Sequence, residues 1–216
     1  MEEERNMMRS VVAVGLAGLA TTAFGQEEFS LSLVPSAATV TGSFTVGVYG
    51  DSSFGTHMLG GSFGLEIDSV CFPDSVTDVQ WSPASWSSFN TDGGYAGNGT
   101  YNQVIFGQLV IPGVPPFDVP APGSELGSLI GTFSVSVEPL AFDRYELQLV
   151  VSDGPFSLEA LDINTGETMR DTDGVLLLGG ATVGSLCPSP GACSLLAISG
   201  LATTRRRRSV STHIKE

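Results

Sequence analysis

Apolar and polar residues alternate with a period of two through much of this chain. In GSFTVGVYG, Phe44, Val46 and Val48 fall on one side and Thr45, Gly47 and Tyr49 on the other, the spacing that lines one face of a β-strand. Phe133, Val135 and Val137 repeat it. Runs of this kind are TVTGSFTVGVYG, GGSFGLEIDSV, SVTDVQW, YNQVIFGQLV, SLIGTFSVSV, RYELQLVVSD and FSLEALD, separated by turn-forming residues. No amphipathic stretch of three helical turns competes with them. About seven to nine such strands bury their apolar faces best as two stacked sheets, so an all-β, antiparallel β-sandwich is expected, with a barrel as the alternative. Pro112–Gly127 carries five prolines. Proline has no N–H for a sheet ladder, so this stretch is expected to be a surface loop.

The pattern changes at both ends. MEEERNMMRSVVAVGLAGLATTAFGQ combines Arg5 and Arg9, an apolar run from Val11 to Ala20, and the small-residue exit Ala23-Phe24-Gly25 before Gln26. This is the layout of a secretory signal peptide, with Met7 and Met8 as alternative starts. Near the other end, Gly191–Thr204 is 14 residues without a charge, shorter than the ~20 of a relaxed transmembrane helix. Arg205, Arg206, Arg207 and Arg208 follow directly. Each arginine costs about 2.5–3.5 kcal/mol at a bilayer centre, so the four together stop translocation and hold the C-terminus inside. Pro190 can open the apolar helix without losing a hydrogen bond. The expected organisation is a signal helix at 1–25, an acidic β-sandwich at 26–187, a sorting or anchor segment with a short apolar helix at 188–208, and a tail at 209–216.

Pro188-Ser189-Pro190-Gly191, the apolar run and the arginine cluster together resemble the PEP-CTERM class of C-terminal sorting signals. The resemblance covers about the last 30 residues and implies processing by an exosortase-type membrane enzyme. Ser189 stands where that class has an acidic residue, and SVSTHIKE follows the arginines where such tails usually stop. The order of strand-like runs over residues 29 to 180 is also similar to the cohesin-like and carbohydrate-binding β-sandwich group. That similarity rests on pattern and implies extracellular binding or scaffolding, without identifying binding residues.

Charge narrows the partners. The chain has 216 residues, 23 acids and 9 basic residues. Between Gln26 and Cys187 nineteen acids face only Arg144 and Arg170, a net of −17. A surface so acidic excludes nucleic acid as a partner of the body and leaves cations and neutral ligands. Three cysteines fit an oxidising compartment only loosely, because an odd count leaves one unpaired; Cys71–Cys187 is the expected pair, with buried or free thiols as the alternative.

Candidate chemistry is sparse. His57 and His213 are the two histidines; His213 lies beyond the arginines, and His57 reads as a turn or strand-end residue. Nucleophile-elbow, zincin and phosphate-loop motifs do not occur. Glu66 and Asp68 share a strand face, as a glycosidase pair would, but they also serve as solvated edge charges. DINTGETMRDTD, Asp162–Asp173, imitates a calcium loop at Asp162, Asn164 and Asp173, yet has Glu167 where the loop needs glycine. A β-hairpin turn at Asn164-Thr165-Gly166 is the stronger reading.

WSPASWSSFNTDGGYAGNGTY gathers both tryptophans and two tyrosines. Trp81 reads as core, and Trp86, Tyr95 and Tyr101 are the candidate ligand-binding residues, with Trp86 the more exposed tryptophan. The function expected from all this is a non-enzymatic, exported cell-surface protein with a structural, adhesive or matrix role and no cofactor. Its partners would be the export machinery, an exosortase-type enzyme, extracellular polysaccharide and, before processing, the membrane. The alternative is a secreted carbohydrate-active enzyme or carbohydrate-binding module, recognisable by two carboxylates about 5–9.5 Å apart in one cleft.

Overall fold

The computed structural model describes residues 27–36, 42–72, 74–111, 113–139, 143–152 and 156–184. The expected signal and tail helices therefore lie outside the described residues, as do Ala23, Gly25, Gln26, Pro188 to Gly191 and Arg205 to Arg208. Within the described residues no helix is long and apolar enough to cross a membrane.

Thirteen strands and a single 3-10 turn make up the described domain. They are β1 (Glu28–Pro35), β2 (Ser43–Ser52), β3 (His57–Ser69), β4 (Val76–Pro83), β5 (Thr91–Asp92), β6 (Tyr95–Gly97) and β7 (Thr100–Gly107). After a long loop come β8 (Ser128–Val137), β9 (Arg144–Val150), β10 (Glu159–Leu161), β11 (Thr168–Arg170), β12 (Val175–Leu178) and β13 (Gly180–Gly184). The first sheet runs β12-β1-β2-β8-β4; the second is built on β3, which holds β7 along one edge and β9 and β10 along the other.

Alternation explains the layers. Phe44, Val46 and Val48 of β2 and Phe133, Val135 and Val137 of β8 are all buried, as their period of two predicts. They meet Phe63, Leu65 and Ile67 of β3 and Leu147 and Leu149 of β9 in one cluster. At its centre Phe133 lies 4.7 Å from Trp81 and 5.1 Å from Tyr101, centroid to centroid, with Phe63 edge-on to Trp81 at 5.5 Å. Trp81 pairs with Phe133 in register, and its indole has room to extend over Gly131, where a Cβ would stand 2.3 Å from the ring. The loop reading holds over the described residues 113–127, whose ladder contact there is a bridge between Glu125 and His57.

Thirteen strands exceed the expected seven to nine, because β5, β6, β11, β12 and β13 are short segments outside the alternating runs that gain their hydrogen bonds from a partner strand. Three further differences bear on the fold. β1 went unrecognised, although Phe29, Leu31 and Leu33 are buried. YNQVIFGQLV ends as a strand at Gly107, because Gln108 turns to another task described below. The antiparallel rule also fails at one place: β12 runs parallel to β1, pairing Leu178 with Leu31. Two residues later Gly180 pairs with Gln148 in the other sheet. Gly179 sits at the crossing, its N–H donating to Leu31 O (2.7 Å) and its carbonyl accepting from the Leu149 N–H (3.1 Å). One length of chain thereby seals the side of the sandwich, satisfying edge groups that would otherwise face solvent.

Candidate functional site

The aromatic constellation of Trp81–Tyr101 is closed, and this corrects its reading as a binding platform. Trp86 is 4% exposed, not the more open tryptophan: its Nε1–H donates to Leu129 O at 2.8 Å and its ring meets Phe106 edge-on at 6.0 Å. Trp81 is core, as expected. Tyr101 is 2% exposed and donates its hydroxyl to Asp92; burial first, and then the Asp92 carboxylate, push its phenol above the ordinary range. Tyr95 is half-buried, donating to Val76 O at 3.0 Å and accepting the Gly99 N–H at 3.0 Å. Trp81, Trp86 and Tyr101 are thus closed to a sugar, and the open aromatic of the stretch is Phe89, at 53% exposure.

The other candidates separate equally clearly. Glu66 and Asp68 are exposed, and register places Asp68 opposite Glu146 of β9. They form a row on an open sheet face. Asp68 borders only a small hollow of about 160 Å³ with Asp74 and Asn98. Asp162–Glu167 is a hairpin turn: Asp162 Oδ1 accepts the Asn164 N–H at 2.9 Å, and Gly166 takes φ +76°. That N–H, outweighing partial burial, holds the Asp162 carboxyl below the usual range. His57 begins β3, its Nδ1 lying 2.9 Å from Thr56 Oγ1. Among the described residues no three His, Cys, Asp or Glu side chains gather to hold a metal.

A second buried polar cluster lies where β3, β4 and β9 converge. Asp143 is 6% exposed. Ser75 Oγ lies 2.8 Å and Ser69 Oγ 2.9 Å from its Oδ2, while the Arg144 N–H donates to Oδ1 at 2.8 Å. Burial pushes this carboxyl up, but hydrogen bonds from Ser75, Ser69, Tyr145 and the Arg144 amide outweigh it and hold the group below the carboxylate range. Tyr145, buried and facing Asp143, is pushed up to about 12. The cluster adjoins Cys71, which is disulfide-bonded; its expected partner Cys187 lies outside the described residues. The arrangement is structural, knitting three strand ends together.

The open feature is elsewhere. A groove of about 480 Å³ runs over the second sheet, lined by Leu59, Ile105, Leu109, Phe89 and Phe156 and by the glycines of β3 and β7. Phe89 and Phe156 are 53% and 44% exposed and meet edge-to-face at 5.9 Å. Ile105 is buried yet lies outside the central cluster. The floor is bare because Gly60 pairs with Gly107. A Cβ on Gly60 would stand 2.6 Å from Phe106 O, so the two backbones approach more closely than side chains allow. Gln108 braces the wall, its Nε2 donating to Met58 O (2.9 Å) and its Oε1 accepting the Ala121 N–H (2.7 Å). The loop beyond Leu109 also exposes Ile111, Val114, Phe117 and Val119, which are not part of the groove lining. Exposed apolar surface concentrated at a groove marks an interaction site. Sequence reading missed it: Phe89 and Phe156 come from separate loops, and no periodicity relates them.

No family model and no curated protein matches the chain. Solved structures similar to it include the second type II cohesin module of the cellulosomal adaptor scaffoldin of Acetivibrio cellulolyticus, at 9% identity and TM-score 0.47, covering 76% of this chain and 99% of that one. The seventh type I cohesin of a Pseudobacteroides cellulosolvens scaffoldin matches at 13% and 0.44, covering 76% and 96%. A non-cellulosomal cohesin from the archaeon Archaeoglobus fulgidus matches at 14% and 0.34, covering 76% and 97%. At TM-scores below 0.5 these neighbours say nothing of what this chain binds.

Proposed function

We propose that this protein is an exported, non-enzymatic docking module, displayed at the cell surface by C-terminal sorting, whose groove between Phe89 and Phe156 seats a segment of another protein. The observation that carries the reading is the groove: a pair of exposed aromatic rings standing over a glycine floor, with few polar groups free to hydrogen-bond a sugar or a reacting molecule. Export is supported by the signal layout at 1–25 and by the disulfide at Cys71, since such bonds persist in oxidising compartments. Sorting is supported by the tripartite tail, which an exosortase-type enzyme would process.

Two measurements test this. Cysteine placed at Ser157 in the groove and at Thr165 in the hairpin turn should both react with a membrane-impermeant maleimide in the purified protein. On intact cells of the native host, Ser157→Cys should be protected and Thr165→Cys should still react; equal labelling at both would remove the docking reading. Mass spectrometry of the mature protein should find an N-terminus at about Gln26 and no peptide beyond roughly Pro190. Membrane-embedded protein retaining Ser209–Glu216 would leave a simple anchor in place of sorting.

A further inference from the structure

We infer that the segment seated in the groove is basic as well as apolar, an aliphatic or aromatic anchor flanked by lysine or arginine. This rests on the docking reading above and adds the chemistry of the partner. The apolar part follows from the walls: Leu59, Leu109, Phe89 and Phe156 offer carbon surface, and Gln108 has both ends of its amide engaged with Met58 and Ala121.

The basic part follows from charge. Glu159 is the ionisable side chain in the groove lining, with Thr168 and Ser157 beside it. Its partner Arg170 stands 3.7 Å away and is 61% exposed, a solvent-screened pair that an incoming cation can displace. Arg144, the other arginine between Gln26 and Cys187, is engaged with Glu146 at 2.8 Å. An acidic segment would thus meet a body of net −17 whose two arginines are both already paired with carboxylates. The same field disfavours a second copy of this chain, which would bring −17 against −17, and an anionic lipid surface. Complementary charge around an apolar anchor speeds encounter and sets register, while the anchor supplies the residence time.

The test is a random dodecapeptide library displayed on phage, selected on the full chain and counter-selected on Phe156→Ser. That variant keeps every charge, so peptides that merely adhere to an acidic protein are removed. Leu109→Ser is the second groove variant, and both should give the wild-type circular dichroism spectrum because both side chains are exposed. Retained peptides should place Lys or Arg beside Phe, Leu or Met. Their synthetic forms should bind about tenfold more weakly to either variant, and about tenfold more weakly at 500 mM than at 50 mM salt. Retention of neutral or acidic apolar peptides that depend on Phe156 and ignore salt would overturn the basic partner and leave docking standing. Failure of any peptide to distinguish the wild type from both variants would overturn docking and this inference together.

Discussion

Trp86→Ala is expected to lower the stability of the domain by about 3–5 kcal/mol, the range for removing a buried large aromatic side chain. Three losses combine there. The indole leaves a void beside Phe106, the Leu129 carbonyl loses the Nε1–H that satisfies it at 2.8 Å, and the loop near Gly123, whose Cβ position is 3.7 Å from the ring, loses its support. Against a typical total of 5–15 kcal/mol such a loss threatens folding itself. Denaturant midpoints measure it directly, and Trp86→Phe should recover part of the packing but not the hydrogen bond. Any retention of polysaccharide should fall only as far as the folded fraction falls. A Trp86→Ala protein that melts like the wild type but loses polysaccharide would reinstate the sugar platform.

Asp143→Ala should cost about 2–4 kcal/mol at neutral pH, because Ser69, Ser75 and the Arg144 N–H would be left facing a buried space without their acceptor. The native carboxyl is held below its unfolded value of about 3.9. Its contribution is therefore fully present above that pH and is lost as pH falls through the lower folded value. Unfolding measured between neutral pH and pH 2.5 should show the wild type weakening more steeply than Asp143→Ala below about pH 4. Parallel curves would mean that the cluster does not hold β3, β4 and β9 together.

The strands were legible where alternation was strong and both neighbours were strands. β2 carries an unbroken period of two, and β3 and β8 carry it over Phe63–Ile67 and Phe133–Val137, where a one-residue slip would turn the apolar side chains to solvent. The shifts of register elsewhere in β3 and β8 do not follow from the pattern. β5, β6 and β11 are two or three residues long. They exist because a partner strand supplies their hydrogen bonds, and nothing in so short a run announces that. β1 was missed although FSLSLVP alternates well. The same limit hid the parallel β1–β12 pair, since direction is a property of two segments more than a hundred residues apart.

The aromatic candidates expose the sharper difference. Residue type says that tryptophan and tyrosine are suited both to stacking on a sugar and to filling a core with a polar tip satisfied. Composition around Trp86 was polar and small, which favoured exposure, yet Leu129 O from β8 is where its indole N–H ends. The hairpin at Asn164–Gly166 was settled locally, by residue types whose Asx-turn and positive-φ preferences do not depend on the rest of the chain.

By itself the sequence determined the class of the fold, the faces of its long strands, the hairpin turn, the proline-rich surface loop and the acidity that limits partners. All of these depend on neighbours in the chain or on sums over it. The tertiary structure alone decided which aromatics are open. Trp86 and Tyr101 find acceptors in Leu129 and Asp92 and close over, while Phe89 and Phe156, which have no polar tip to satisfy, are brought together over Gly60 and Gly107. Exposure is set by what packs against a residue after distant segments meet, and no local pattern encodes that meeting.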